Sequence, residues 1–459
     1  MVNTGQDLGS ASRASLLAVI AEQQTTIAGQ QTMIAELRRR VDKLEARLSA
    51  RGPSAGMPGN KPSDKRRQPE RKGPRKRRLH GFARRRMEPT RRVIHAPESC
   101  SECGTGLTGG WVQRTREVIE LPVAPVEVTE HVFMARMCAL CRKRRVSQGS
   151  LQGLAMGRQR FGVNLMSLMV TLREEGRLPV RSIQWYLRTV HQLKLSVGAI
   201  VEAIHRAARQ AQPAVAGALE RIRGSPVVHA DETGWRQDGV NGYVWTFSTP
   251  TERYFVRRGR GKAVVDEVLG ESFDGVLVSD FYAAYNHYPG LKQRCWAHLL
   301  RDIHELEALY PKDAALARWA VAVRRLYDRG KTLAGRLPVK AVGARPATRG
   351  QLALESQLLS LCRPFSDDPL APQAKLCRRV ERFIKELFVF VSHQNVPPEN
   401  NAAERSLRHL VIARKIGGGT RSDKGTNSKM ALASLFGSWR ARGLDPLLQC
   451  RRILISPQV

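Results

Sequence analysis

The segment Val227-Val228-His229-Ala230-Asp231-Glu232-Thr233-Gly234-Trp235 decides how this chain folds. Val227 to His229 reads as a buried strand that ends at an acidic residue and runs into a turn. A second such strand follows at Gly275-Val276-Leu277-Val278-Ser279-Asp280. Between them lie two more strand candidates, Gly242–Ser248 and Arg253–Arg257, and a helix candidate, Lys262 to Leu269. Lys292–Trp296 follows as a further strand. Three strands, a helix and another strand describe a mixed sheet with a carboxylate on its opening strand. A third carboxylate, Glu404, sits far downstream on a polar-faced helix, Asn400-Asn401-Ala402-Ala403-Glu404-Arg405-Ser406-Leu407-Arg408. Asp231 and Asp280 are 49 residues apart, which fits a few strands and one helix. Asp280 and Glu404 are 124 apart, which requires an inserted helical domain.

Two Asp at strand ends and a Glu on a helix can hold a pair of divalent cations. Mg²⁺ (or Mn²⁺) takes hard oxygen ligands, few of them from protein, and completes its shell with water and phosphate. Two such ions clamp the attacking and leaving oxygens of a phosphodiester in line. A lone Asp at a strand end usually caps a turn, so the set carries the reading rather than any one member. Glu232 adjoins Asp231, but strand alternation sends it to the opposite face. It is the rival ligand should the turn begin early. His229 shares the face of Asp231 and reads as a packing residue.

The 459 residues suffice for two or three domains. Lys and Arg number 76 against 41 Asp and Glu, a net charge of +35. Lys61–Arg92 holds 15 basic and 3 acidic residues, which leaves +23 on the rest of the chain. An excess spread this widely points to a polyanionic partner, DNA or another nucleic acid, over a merely solvated basic surface. The N-terminus has no apolar signal core and no window approaches a membrane span, so a cytoplasmic, nucleoid-associated protein is expected.

Eight cysteines occur, four of them as Cys100-x-x-Cys103 and Cys138-x-x-Cys141. In a reducing cytosol such pairs sit on metal rather than in disulfides. Each pair is a knuckle able to give two thiolates to one tetrahedral Zn²⁺, and four thiolates leave no open position, so the ion reads as structural. Two unrelated pairs of buried thiols are the alternative. The segment Val118 to Met137 between the knuckles has strand character.

Ile20, Ile27, Ile34, Val41 and Leu48 recur every seven residues, with Leu16, Gln23, Gln30, Leu37 and Leu44 four residues before each. This is the pattern of a parallel coiled coil, hence of a homodimer or higher assembly; a single amphipathic helix on the body of the chain is the alternative. Arg51 to Arg92 cannot bury a core and reads as a disordered basic linker. A Pro-started helix near Leu178–Leu187 and a second capped by Ser196 suggest helix-turn-helix DNA binding or ordinary packing. The chain thus divides into a coiled coil (12–50), a linker (51–92), a zinc-binding domain (93–150) and a helical segment (158–222). A catalytic core follows in two parts, 225–302 and 395–456 with closing helices, around a helical insertion at 303–394.

His229-Ala230-Asp231-Glu232-Thr233, Ser279-Asp280-Phe281-Tyr282-Ala283-Ala284-Tyr285, Cys295-Trp296-Ala297-His298 and Pro398-Glu399-Asn400-Asn401-Ala402-Ala403-Glu404-Arg405 together resemble the insertion-sequence sixty-six family of bacterial DDE transposases. Gly417-Gly418-Gly419-Thr420 and Gly443-Leu444-Asp445-Pro446 extend the resemblance over nearly the whole chain. It implies a ribonuclease-H-like catalytic fold with Asp231, Asp280 and Glu404 as its acidic triad, and accessory proteins from the same element. It also implies the CxxH of related transposases at Cys295 and His298, where a structural role is expected. The implied activity is cleavage of transposon-end phosphodiesters and joining of the freed 3′-hydroxyl to target DNA. Arg405, Arg408, Arg414, Lys415 and Arg421 are the expected DNA contacts, with Arg408 on the face of Glu404. A DNA-binding protein that has lost catalysis, and a metal-dependent nuclease without joining, are the competing readings.

Overall fold

The computed structural model describes residues 13–49, 87–119, 121, 126–156, 159–336 and 347–456. Most of the expected basic linker therefore lies outside the described residues. The chain forms two compact units, residues 51–126 and the remainder.

In the larger unit, α1 (Arg13–Ser49) is a single 37-residue helix. Ile20, Ile27, Ile34, Leu37 and Val41 on its apolar seam are each about half exposed. A short hairpin follows, β1 (Ala135–Met137) paired antiparallel with β2 (Arg144–Val146). Among the described residues of 118–137, the expected strand character is realised in these last three. Val118 and Ile119 in the smaller unit, and Val128 and Val132 in the larger, stay exposed. Strand-prone side chains form strands only where a partner covers one face.

Four helices come next: α2 (Val163–Glu174), α3 (Val180–Val190), α4 (Val197–Gln210) and α5 (Gln212–Arg223). Ser196 caps α4 through its Oγ, which accepts from the Ala199 N–H at 3.1 Å. Then come β3 (Val227–Gln237), β4 (Val240–Ser248), β5 (Arg253–Arg258), α6 (Ala263–Leu269), β6 (Val276–Ser279) and β7 (Lys292–Arg294). Helices α7 (Trp296–Leu309), α8 (Ala314–Ala334), α9 (Arg349–Ser366) and α10 (Ala374–Phe383) make the insertion, and α11 (Asn401–Gly417), α12 (Asp423–Ala441) and α13 (Pro446–Ile455) close the chain. Among the described residues no helix is long and apolar enough to cross a membrane.

The five-stranded sheet has the order β5-β4-β3-β6-β7. β3 runs parallel to β6, and β6 to β7, while β4 is antiparallel to both β3 and β5. This is the mixed sheet read from the sequence, with one correction. β3 does not turn after His229 but continues to Gln237, because β4 pairs with it residue by residue from His229–Ser248 to Gln237–Val240. Asp231 thus stands where the parallel partner ends, not where the strand ends.

Alternation along β3 sorts its side chains between two cores. Val228 and Ala230 pack with α6 and with Tyr285 and Tyr288. Val227 faces the other way, with Val276 and Val278, onto Trp296, Trp319, Phe388 and Phe390. The insertion therefore shares a continuous core with the sheet rather than hanging from it. α12 is buried all round from Met430 to Trp439. One side meets the sheet at Val244 and Phe255 and the other meets α2 and α4. That second contact buries Ile200, Ala203, Ile204 and Ala207 of α4. α4 is the helix a helix-turn-helix would lay in a groove, and here it exposes only Gly198 and Arg209, while α3 exposes Arg181, Trp185, Arg188, Thr189 and Val190.

Candidate active site

The parallel pairing of β3 with β6 sets His229 opposite Val278. Asp231 and Asp280 each follow two residues on, so they leave neighbouring strands at the same level. One oxygen of each is held by backbone: Asp231 Oδ1 accepts from the Glu232 N–H at 2.8 Å, and Asp280 Oδ1 from the Tyr282 N–H at 2.9 Å. Each retains a second oxygen with no hydrogen-bond partner among the described residues.

Glu404 arrives through a lattice of hydrogen bonds centred on Asn400, which is fully buried. The Asn400 side-chain amide donates to the Ala230 carbonyl at 2.7 Å, and its Oδ1 accepts from His229 Nδ1 at 3.0 Å. That acceptance fixes the proton of His229 on Nδ1, and burial holds the ring neutral by lowering its pKa. The Asn400 N–H donates to Cys295 Sγ at 3.1 Å, the Cys295 N–H to the Ser279 carbonyl at 2.8 Å, and the Trp296 N–H to the Pro398 carbonyl at 2.9 Å. Three distant segments are thereby tied together beside Asp231 and Asp280. Glu404 sits one turn beyond Asn400, its N–H donating to the Asn400 carbonyl at 3.3 Å.

The electrostatics register this crowding. Burial, then the charge of Glu232 and those of Asp280 and Glu404, push the Asp231 carboxyl up to about 7. Asp231 therefore feels the negative charge of three other carboxylates, which makes its surroundings electronegative. Among the described residues no three His, Cys, Asp or Glu side chains already close around one point. Glu232 points to the other face as alternation requires. Its carboxylate accepts from the Tyr285 hydroxyl at 2.8 Å and pairs with Arg260 at 3.2 Å.

Cys295 and His298 divide the work of their motif. Cys295 is buried and accepts the Asn400 N–H, a positioning role. His298 Nε2 lies 3.7 Å from Glu404 Oε1, and its buried Nδ1 has no hydrogen-bond partner. Arg301 Nη2 reaches the same Glu404 oxygen at 4.0 Å. Arg294, fully buried, is a residue the sequence did not single out. It donates to the Asp280 carbonyl at 2.7 Å, to Asn286 Oδ1 at 2.6 Å and to Glu386 at 2.6 Å. It fixes the Asp280 turn from behind and ties it to the insertion. Its only sequence signal is a charged residue within an otherwise buried strand. A cleft of about 540 Å³ opens beside Asp280 and His298.

Of the five expected cationic contacts, Arg405, Arg408, Lys415 and Arg421 are exposed. Arg414 turns inward, donating to the Gly234 carbonyl and, at 3.3 Å, to Thr233 Oγ1. The backbone of the glycine run is also engaged. The Gly418 N–H donates to the Arg414 carbonyl at 2.7 Å and the Thr420 N–H to the Arg236 carbonyl at 3.0 Å. Gly418 and Gly419 take positive φ there, and a Cβ on Gly419 would stand 2.1 Å from the Arg236 carbonyl oxygen. The run is a helix stop docked on β3, not a cradle of free N–H groups.

The two CxxC segments share one local geometry, each within its own unit. The Cys100 N–H donates to the Thr105 carbonyl and the Gly104 N–H to the Cys100 carbonyl, both at 2.9 Å. In the other unit the Cys138 N–H donates to the Lys143 carbonyl at 3.0 Å and the Arg142 N–H to the Cys138 carbonyl at 2.9 Å. Gly104 and Arg142, the fourth residue after each first cysteine, both have positive φ. Hydrogen bonds from Thr105 and Cys100 pull the Cys103 thiol down to about 7, and bonds from Cys141 lower Cys138. Low thiol pKa values favour the thiolate form that metals bind.

A profile described as "Transposase IS66 family" matches residues 158–428, more than half of the chain and all of the carboxylate site. Three proteins of Sinorhizobium fredii (strain NBRC 101917 / NGR234) are similar. Uncharacterized protein y4qI is 25% identical over 262 residues, covering 50% of this chain and 47% of that protein. Uncharacterized protein y4jD is 23% identical over 398 residues, covering 77% and 74%. Uncharacterized protein y4jO is 29% identical over 176 residues, covering 38% and 50%. The chain spans about half the length of the first and third of these relatives. On the extent of that match, the chain belongs to the IS66 family of transposases.

Proposed function

We propose that this transposase cleaves the phosphodiesters at the ends of its element and joins the freed 3′-hydroxyls to target DNA, using Asp231, Asp280 and Glu404 on a ribonuclease-H-like core. The observation that carries this is the common level of Asp231 and Asp280 on adjacent parallel strands, with Glu404 brought beside them by Asn400. Three carboxylates shared between two Mg²⁺ (or Mn²⁺) ions need supply only one or two oxygens to each, so no single point has to gather all three. The bound ions would supply Lewis acidity at the attacking and leaving oxygens.

The chain's own residues do the rest. Asp231 and Asp280 keep one oxygen fixed by backbone and offer the other. Glu404 faces them from the first turn of α11, where the helix dipole favours its charge. In the first step water attacks phosphorus, the P–O3′ bond breaks, and the element's strand leaves with a 3′-hydroxyl. In the second step that hydroxyl attacks a target phosphorus and expels the target's 3′-oxygen. No protein nucleophile is required. Cys100 with Cys103, and Cys138 with Cys141, would each give two thiolates to structural Zn²⁺, α1 would dimerise the chain, and Arg405, Arg408, Lys415 and Arg421 would contact DNA. Mg²⁺-dependent cleavage and joining of duplexes bearing the element's own ends tests the proposal. Binding without cleavage would reduce the protein to a DNA-binding derivative, and cleavage without joining to a nuclease.

A further inference from the structure

α10 carries Lys375, Arg378, Arg379 and Arg382, spaced i, i+3, i+4 and i+7, so all four share one stripe of the helix. Its opposite stripe, Leu376, Cys377, Val380 and Phe383, is buried in the insertion or against its edge. The cationic stripe lines the same cleft as Asp280 and His298. Arg379 is paired with Asp302 of α7 and lies over the Phe281 ring at 5.2 Å, which pins the stripe to the residue after Asp280. Lys375, Arg378 and Arg382 are exposed, and no described acidic side chain stands within ion-pair distance of them. Like charges at helical neighbour spacing repel, so an anion in the cleft would relieve a cost already built into the helix.

We propose that α10 holds the phosphates next to the scissile bond on the strand being cut, making the insertion the second wall of the substrate channel. The assignment rests on the carboxylate site being where that bond is cleaved. It gives the insertion a task beyond filling the core: Asp280 and α10 face one cleft, and a phosphodiester backbone entering it meets the carboxylate site on one side and, on the other, Lys375, Arg382 and Arg378, whose Nη1 also donates to the Ser366 carbonyl at 2.7 Å.

The test uses the full chain in metal-free buffer and a labelled 40-base-pair duplex of the element's terminal sequence, with a duplex of unrelated sequence beside it. Lys375→Gln, Arg378→Gln and Arg382→Gln are combined in one variant. Lys312→Gln, Arg318→Gln and Arg325→Gln, exposed on the same insertion but outside the cleft, form the control. Each phosphate contact contributes about 0.9 to the slope of log K against log salt. The cleft variant is expected to flatten that slope on the terminal duplex by about 2 to 3 and to slow Mg²⁺-dependent cutting at least tenfold. The control is expected to move the slope by less than one contact. An unchanged slope in the cleft variant, or an equal loss in the control, overturns the proposal. A loss confined to the unrelated duplex overturns the assignment to the cut strand. Asp280→Asn separates the two readings: full cutting by it removes the carboxylate site, whatever the slopes show.

Discussion

The Asn400 side-chain amide donates to the Ala230 carbonyl at 2.7 Å, one residue before Asp231. A single buried amide thus sets where the helix bearing Glu404 begins relative to the strand bearing Asp231. Replacing Asn400 with Leu leaves the Ala230 carbonyl and His229 Nδ1–H without partners, at about 1–3 kcal/mol for each buried group. Denaturant melts should show the loss. Cutting should fall about a hundredfold as Glu404 shifts, with DNA binding retained. Wild-type cutting by a stably folded Asn400→Leu would remove the amide from the argument.

Asp231 should trade stability for function. Its folded pKa of about 7 lies above the ordinary carboxyl value of 3.8. A raised acid pKa contributes stability that is complete below the unfolded value and is lost as pH rises through 7. Without metal, Asp231→Asn should therefore melt above the wild type at pH 8 and match it near pH 4. Adding Mn²⁺ should raise the melting temperature of the wild type and leave the variant unmoved. A variant that melts below the wild type at pH 8 contradicts this account of the site's electrostatics.

Glu404→Gln keeps the size and hydrogen-bonding ability of the side chain while removing its charge. It should reduce cutting by about two to three orders of magnitude, the scale of losing a group that stabilises transition-state charge. His298→Asn should cost less, because the ring is beside Glu404 rather than among the offered oxygens. Single-turnover cleavage rates rank the two, and a larger loss at His298 would assign the metal-side role differently.

His409 gives a pH dependence unconnected with catalysis. Its Nδ1 accepts from Arg177 Nε at 3.2 Å. Burial, followed by the charges of Arg440, Lys429 and Arg177, pushes its pKa down to about 3. A depressed histidine contributes stability that is complete above its unfolded value of 6.5 and fades as pH falls from there towards 3. His409→Gln should flatten the loss of denaturant resistance between pH 6.5 and 4, compared with the wild type. An unchanged acid limb would show that another group governs it.

Much of the sheet was legible because short apolar runs bounded by acids and glycines announce buried parallel strands. The length of β3 was not, since its second half is held by hydrogen bonds to β4 that no local pattern records. Asn400 and Arg294 escaped for a related reason. Their partners lie far away in sequence, Ala230 for one and Glu386 for the other, so their roles exist only in tertiary structure. The α10 stripe was present in the spacing of Lys375, Arg378, Arg379 and Arg382 but lacked meaning until the helix was seen across a cleft from Asp280. Arg414 shows the converse, a cation whose sequence neighbourhood suggested DNA and whose side chain binds β3.

The central claim is that Asp231, Asp280 and Glu404 jointly hold the ions that cut and join DNA. Incubation of the purified chain with its element's end duplex and a target plasmid, in Mg²⁺ and in EDTA, tests it most directly. Cleaved ends and joined products should appear with Mg²⁺ alone and vanish in Asp280→Asn while end binding persists. Joining at the wild-type rate by Asp280→Asn would contradict the account.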